Sequence, residues 1–445
     1  MRLVVVGGGL AGIAAALESA DGGATVTLLE ARPRLGGATF SIEKDGLWLD
    51  NGQHVFLRCC TAYRRFISRI GAEDEVVLQP RLEIPVLTPG GRIAWLRRNG
   101  LPAPLHLAGS LLRFQPLAVR DRLRLGPAVL ALRRLQLDDP ALDRQTFGSW
   151  LTAHGQSDTA VEALWDLITL PTVNLHARDA SLALATKVFQ TGLLERGDAS
   201  DVGYARVPLQ RLHGDDAERA LGVAGVELHT KARVTGIAPV ATGLEVAWSG
   251  GALTADAVVL AVPHDDVAAL APQGALPPGI DPARLGASPI VNLHVVYDRR
   301  VTEHAFAAGV GTPVQWVFDR TASSGVADGQ CLAISLSGAD DHISRSVEEL
   351  RAEFLPALAA LFPAARDAEV RSFFVTREPR ATFRGVPGTA ADRPGPVTGV
   401  RGLFLAGAWT DTGWPATMEG AVRSGLAAAR AALGSGAAGS EKVAA

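Results

Sequence analysis

What this chain lacks narrows its chemistry before any motif is considered. Among 445 residues there are three cysteines, and Cys59 and Cys60 are adjacent while Cys331 is far away. That supply makes neither a disulfide framework nor a zinc ligand set, so no metal centre is expected and a reducing, cytoplasmic setting fits. Lysine occurs only at Lys44, Lys187, Lys231 and Lys442, although Lys and Arg together number 43; the arginine bias reads mainly as coding composition. The formal net charge is -3, which argues against a whole-chain nucleic-acid binder but leaves local patches open. Beyond the opening segment no uncharged apolar run reaches the roughly 18 residues that a membrane-spanning helix needs. The length suggests about two or three globular units.

What is present begins at the first residues, "MRLVVVGGGLAGIAAALESA". An arginine, an apolar run and small residues have the outline of a secretory signal. The glycines support a different reading. Leu3 to Val6 suits a buried parallel strand, and it leads into Gly7, Gly9 and Gly12 with the spacing G-x-G-x-x-G. In that unit the first glycine permits the turn and the second lets a pyrophosphate approach the backbone. The third lets a helix, here predicted over Ala14 to Ala20, pack against the strand with its amides toward the anion. A second strand in "ATVTLLEA" ends at Glu30, where a carboxylate is needed for ribose hydroxyls.

Further on, "EIPVLTPGGRIAWL" predicts two strands around a Pro-Gly-Gly turn. From Leu101 to Leu137 the pattern is leucine-rich helix carrying Arg113, Arg120, Arg122, Arg124, Arg133 and Arg134, and more helix is expected to about Leu194, broken near Pro171. Strands are expected again in "GVELHTKARVTGI", "LEVAWS", "DAVVLAVP", "PIVNLHVVYD", "VQWVFD" and "CLAISLS", followed by a helix from about Ser344 to Leu361. The end repeats the opening grammar: a strand at Leu403 to Ala406, a glycine-punctuated loop and a helix starting near Pro415 to Met418. The last stretch, 434–445, reads as a flexible tail. In a doubly wound sheet both glycine loops can face one extended dinucleotide.

Three separated blocks, "GGGLAGIAAAL", "LLEARPRLGG" and "GLFLAGAWTDTGWPATMEGAVRSGLAAA", together resemble the FAD-dependent amine oxidase and phytoene desaturase superfamily. The resemblance implies an α/β chain in which a Rossmann-type FAD-binding domain, from residues 1–80, 201–265 and 401–433, is interleaved with an α+β substrate domain from 81–200 and 266–400. It implies that Gly7, Gly9, Leu10, Ala11, Gly12, Glu30 and Ala31 hold the ADP half of FAD, that Arg32, Gly36 and Gly37 lie along the dinucleotide, and that Val234 contacts the adenine side. Gly52, Gln53, His54, Gly407, Ala408, Met418 and Ala421 would lie toward the ribityl chain and flavin ring. Two positions depart from the pattern, Ala38 where arginine is usual and Ala408 where aspartate is usual, with Asp411 a candidate for the missing carboxylate.

Four more blocks, "LDNGQHVF", "WDLITLPTVNL", "SLALATKVFQTGLL" and "SDVGYARVPLQRLHGDDAERAL", are similar to the hydroxysqualene dehydroxylases within that superfamily. This implies a hydrophobic isoprenoid substrate, hydroxysqualene, reduced to squalene on a route to hopanoids or related triterpenes. A hydrocarbon asks for an apolar tunnel, and Trp165, Leu167, Leu170, Leu184, Phe189 and Leu193 are candidates for it. Hydroxide is a poor leaving group and needs a proton. His54, beside Asn51 and Gln53, is the first candidate donor and Tyr204 the second; Arg206 and His213 share the block of Tyr204 and are equally suited to bracing a domain junction. No lysine other than Lys187 falls in the blocks expected near a flavin, which disfavours an amine oxidase. A carotenoid-type desaturase and a non-catalytic isoprenoid-binding flavoprotein remain as alternatives.

Only one complete dinucleotide fingerprint is present, so no second nucleotide site identifies the electron donor. In "LLRFQPLAVRDRLRLGPAVLALRRL" arginines interleave with leucine surfaces, as in helices lying on an anionic membrane face, and a solvated helix has the same pattern. Peripheral attachment to the inner face of the cell membrane is the corresponding expectation.

Overall fold

The computed structural model describes the backbone of residues 1–441 and the side chains of residues 1–435. Its first element is the parallel sheet the opening motif calls for, with strands in the order Glu227–His229, Thr25–Leu29, Arg2–Val6, Ala257–Leu260 and Leu403–Leu405. Four of them are short apolar runs, largely buried on both faces as a parallel sheet requires, while Glu227–His229 is a half-exposed edge. The helix Leu10–Asp21 starts earlier than expected, directly after Gly9. A Cβ on Gly12 would collide with the Gly7 carbonyl oxygen, and one on Gly425 with that of Ala11. The second contact seats the C-terminal helix Met418–Glu441 on the first helix, so the two ends of the chain close one layer. That helix runs through most of the stretch expected to be a flexible tail; residues 442–445 of that expectation lie outside the described residues.

A second, seven-stranded sheet has the order Val370–Thr382, Ser288–Tyr297, Gln330–Ser337, Trp316–Asp319, Phe306–Gly309, Glu83–Thr88 and Arg92–Arg97. Helices between Val119 and Leu194 pack on it around Phe147, Trp165 and Phe189. Two expectations are corrected here. The leucine-rich stretch is not one helix but the turn Leu105–Leu107 and the helices Ala108–Leu112 and Val119–Arg134. Pro116 lies between these helices and lacks the N–H that would continue the first. Pro171, in turn, does not break its helix: Asp166–Val173 runs through it and stops at Asn174, whose φ is 59°. The preceding five residues, Val161–Trp165, are π-helical.

Between the two sheets lies a small one, Val55–Leu57, Val202–Ala205 and Val76–Leu78. Beside it sit two buried histidines. His213 faces the Tyr63 hydroxyl at 2.8 Å through Nε2, and burial, with His54 nearby, pushes its pKa from 6.5 down to about 3. Burial pushes His294, on the strand Ser288–Tyr297, to about 4. Both are therefore neutral in the folded chain at neutral pH. An unfolded chain takes up their protons near 6.5, so it binds more protons than the fold between about pH 6.5 and 4. The stability they contribute is complete above that window and is lost as the pH falls through it. The urea midpoint should accordingly drop steeply on acidification, and His213→Gln, with no titrating group there, should show a shallower dependence; parallel curves for the two proteins would refute the assignment.

Candidate functional site

One cavity of approximately 1420 Å³ runs from the first glycine loop into the helical layer. A pocket for one drug-sized ligand measures roughly 300–1,000 Å³, so this space exceeds a single such site.

At its first end lie Gly7, Gly9, Leu10, Ala11, Glu30, Ala31, Arg32, Gly36, Gly37 and Val234. Gly12 is beneath them, against the Gly7 carbonyl, and serves helix packing rather than lining. The amide of Gly36 donates to the Gly8 carbonyl at 3.0 Å, and a Cβ on Gly37 would stand 2.7 Å from Gly9 Cα. The two loops are thus in contact backbone to backbone. On the cavity side a Cβ on Gly9 would meet nothing nearer than Gly37 Cα at 3.6 Å. The helix behind it has no side-chain cap and no acid in its first turn, which leaves its positive end to an anion. The buried Glu30 carboxylate accepts the amides of Gly8 and Arg32, each at 2.6 Å, and stands at the edge of this space. Open room at Gly9, an uncapped helix start and a carboxylate just beyond the second strand fit the phosphates and ribose of a dinucleotide.

Midway, the cavity is lined by Gly52, Gln53, His54, Gly407, Ala408, Met418 and Ala421. Asn51 is fully engaged as a brace. Its Nδ2 donates to Ala38 O and Glu378 Oε1, and its carbonyl accepts from Asn292 Nδ2 and Thr376 Oγ1. Gln53 Nε2 is buried without a partner. His54 is half-buried, and desolvation lowers its pKa from 6.5 to about 4 against the pull of Asp50. That carboxylate is held at 2.7 Å by Arg320, itself bonded to the carbonyls of Ala205 and Val207.

Several expected residues fall elsewhere. Tyr204 does not line the main cavity; it borders a void of about 10 Å³ behind His54 and packs on Phe306 at 5.9 Å. It belongs to the strand Val202–Ala205 and shares a face with the cavity-lining Val202, but lies two residues farther along, beyond the cavity wall. Arg206 is exposed and outside the cavity, and His213, the buried partner of Tyr63, braces the structure. Asp411 is exposed and outside the cavity, its carboxylate accepting the Gly413 amide, and so does not replace a carboxylate at Ala408. Lys187 is outside as well, 5.3 Å over the Trp414 ring. Sequence reasoning missed Glu419, which lines the cavity and caps the helix Thr61–Arg69 through the amides of Ala62 and Tyr63. An acid directly after Met418 was the available signal.

The far end is apolar. Trp165, Leu167, Phe189 and Leu193 line it as expected, joined by Leu125, Val129 and Leu132 from the helix Val119–Arg134. Leu170 and Leu184 do not. They turn the other way and fill the space left by Gly338 and Gly385, because a helix has two apolar sides when a sheet or loop covers its back.

The family model for flavin containing amine oxidoreductase matches residues 10–433. The chain is 31% identical over 441 residues to hydroxysqualene dehydroxylase of Rhodopseudomonas palustris, covering 97% of this chain and 98% of that protein. It is 29% identical to hydroxysqualene dehydroxylase of Sinorhizobium fredii, with 96% and 97% covered. To zeta-carotene desaturase of Synechocystis it is 26% identical, with 97% of each covered. Among solved structures, cyclohexylamine oxidase from Brevibacterium oxydans superimposes with a TM-score of 0.72 at 19% identity, over 97% of this chain and 98% of that one, a likeness of fold. The glycine loops, the cavity they open into and these matches have one conclusion: this chain is a member of the flavin-containing amine oxidoreductase family.

Proposed function

We propose that this flavoenzyme is an FAD-dependent hydroxysqualene dehydroxylase, converting the allylic alcohol hydroxysqualene to squalene in squalene and hopanoid formation. The observation that carries the reading is the continuity of a nucleotide-binding end with a long apolar end inside one cavity. Gly9, the start of the helix Leu10–Asp21 and Glu30 would hold the ADP half of FAD, and Gly52, Gln53, Gly407 and Met418 would flank its ring. Reduced FAD supplies a hydride when bound there. None of the described residues lining the cavity is a lysine, and the apolar walls favour a hydrocarbon over an amine.

The chain's own part is to exclude water and to manage one proton. As the C–O bond breaks, the oxygen must leave as water rather than hydroxide. His54 is the titratable ring beside the expected ring position. With a pKa of about 4, its protonated form is a strong acid populated at roughly one part in a thousand at pH 7.

Anaerobically reduced protein mixed with hydroxysqualene should yield squalene and reoxidised flavin. Single-turnover rates should fall about tenfold per pH unit from about pH 6 to 8, and His54→Ala should be roughly a hundredfold slower at the acid end, without that slope and with FAD retained. Tyr204→Phe should leave the rate unchanged. A pH-independent rate that survives His54→Ala would assign the proton to another group. The similarity to zeta-carotene desaturase supports a second reading, removal of hydrogens from a carotenoid precursor; new double bonds in phytoene without squalene formation would favour it.

The segment from Leu101 to Leu137 supports a membrane-facing surface. Leu105, Leu112, Val119, Leu123 and Leu130 are 54%, 57%, 66%, 66% and 47% exposed, while Leu107, Leu111, Leu125, Val129 and Leu132 line the cavity. A single layer of chain separates the lipid-like interior from the outside. Arg113, Arg120, Arg124, Arg133 and Arg134 are exposed around it. Arg122 instead ties the two helices together through the carbonyls of Leu117 and Leu112. The protein should bind anionic liposomes at low salt and release them as salt screens the attraction. Changing Arg120, Arg124 and Arg133 to glutamate should abolish binding, and a wild type indifferent to such liposomes would remove this claim.

A further inference from the structure

Away from the His54 loop, one group of polar side chains faces the cavity from its apolar half. His106, in the turn Leu105–Leu107, is 1% exposed, and neither ring nitrogen has a hydrogen-bond partner. Ser200 is 3% exposed with an unpartnered hydroxyl. Thr191, in the π-helical turn Gln190–Leu194, has its hydroxyl buried and unpartnered. All three line the cavity.

Ser200 and the Thr191–Gly192 turn flank Leu57, and His106 stands against Gly197, three residues before Ser200. The backbone bonds from Arg58 N to Asp201 O and from Cys59 N to Ala199 O set Ser200 beside Leu57. A Cβ on Gly192, next to Thr191, would lie 3.5 Å from Leu57 Cδ1, and one on Gly197 would lie 3.7 Å from the Cβ of His106. The wall behind is rigid: the Asp201 carboxylate accepts from Arg58 Nε at 2.8 Å, Arg98 Nε at 2.6 Å and the Leu82 amide at 2.8 Å. Burial, with Arg98 close by, lowers the pKa of His106, so the ring is neutral and presents one donor and one acceptor.

Buried polar groups without partners are rare and costly. A purely hydrocarbon ligand lying over these three would leave them unpaired, whereas a hydroxyl both donates and accepts. The proposed substrate and product differ by a single hydroxyl on an otherwise apolar skeleton, and a tunnel with apolar walls alone would retain the hydrocarbon product at least as well as the alcohol. We propose that His106, Ser200 and Thr191 form an oxygen-binding site that takes up a hydroxylated isoprenoid and discriminates it from the matching hydrocarbon. The inference rests on the functional reading above and assigns its alcohol selectivity to residues other than His54. His54 lies three residues before Leu57, roughly 10 Å along an extended strand. A chain drawn in from the exposed Leu105 side meets the three polar groups first.

Binding to the oxidised holoprotein, followed by quenching of fluorescence from Trp165 and Trp316 in the cavity wall, compares hydroxysqualene with squalene. Wild type should prefer the alcohol by roughly tenfold or more. His106→Phe should bring the ratio to about one, chiefly by weakening the alcohol, and His106→Gln should restore part of it. Ser200→Ala combined with Thr191→Val should lower the ratio in the same direction, which keeps the test decisive where His106→Phe fails to fold. A wild-type ratio near one, or a ratio that these substitutions leave intact, overturns the proposal and makes the three groups a place for solvent only. No turnover enters the measurement. A protein that prefers the alcohol yet forms no squalene when reduced keeps the site and loses the catalytic reading, and the reverse result does the opposite.

Discussion

The ion pair between Asp50 and Arg320 is the constraint on which the rest of the site depends. Asp50 ends the strand Leu47–Asp50, close to the glycine loops in the chain, and Arg320 follows the strand Trp316–Asp319 of the large sheet. They meet at 2.7 Å, with both side chains almost wholly out of water. Two buried charges are tolerated only where every remaining donor and acceptor is satisfied. Here Asp50 also accepts from Ser41 Oγ and the Leu209 amide, and Arg320 donates to the carbonyls of Ala205 and Val207. Four separate stretches of chain are thereby pinned to one point. The loop Asn51–His54 starts at that point, so its position in the cavity wall follows from the pair. Removing either partner alone would strand a charge, a cost of about 3–5 kcal/mol.

The same pair explains why the middle of the cavity is electrostatically quiet. His54 and His294 both feel Asp50 and Arg320, whose opposite charges offset each other in their effect on the rings. Desolvation is then the largest influence on each, and both are held neutral. A site with uncompensated charge would order water around itself, and water is what an apolar ligand must not meet. Among the described residues lining the cavity, the buried polar side-chain atoms without a hydrogen-bond partner are accordingly few: Gln53 Nε2 in the middle, and those of His106, Thr191 and Ser200 farther out.

The legible parts of this site were those whose chemistry is local in the chain. Gly7, Gly9 and Gly12 act within one turn, and Glu30 stands one strand later, so spacing alone locates them. The blocks around Gly36, His54 and Met418 were placed through resemblance, and the cavity brings them together. The illegible parts depend on which way a side chain turns. Tyr204 and His54 both come from blocks expected near the cofactor, but His54 borders the main cavity as well as the small void behind it, whereas Tyr204 reaches only the void. Leu170 and Leu184 share their helices' apolar pattern with Leu167 and Phe189 but pack away from the cavity, against Gly338 and Gly385. Asp411 was a plausible substitute for a carboxylate until its loop, held by three bonds from Arg393 to the carbonyls of Trp409, Thr410 and Trp414, left it in solvent.

An apolar cavity this large raises a stability problem that the fold resolves with its helical layer. Helices cover a sheet well when each buries one stripe, yet Val119–Arg134 has apolar residues both inward, toward the cavity, and outward. Its inward residues Leu125, Ala128 and Leu132 are buried in the core around Phe147 and Trp165, with Leu125, Val129 and Leu132 also lining the cavity; its outward residues, Leu123 and Leu130, face away from it. The folded chain thus holds this helix by its inward stripe. Its outward leucines gain nothing from that core, and it is the inward stripe that closes the cavity. The sequence cost of this arrangement is the leucine-rich, arginine-bordered pattern of residues 101–137, which ordinary core packing does not require.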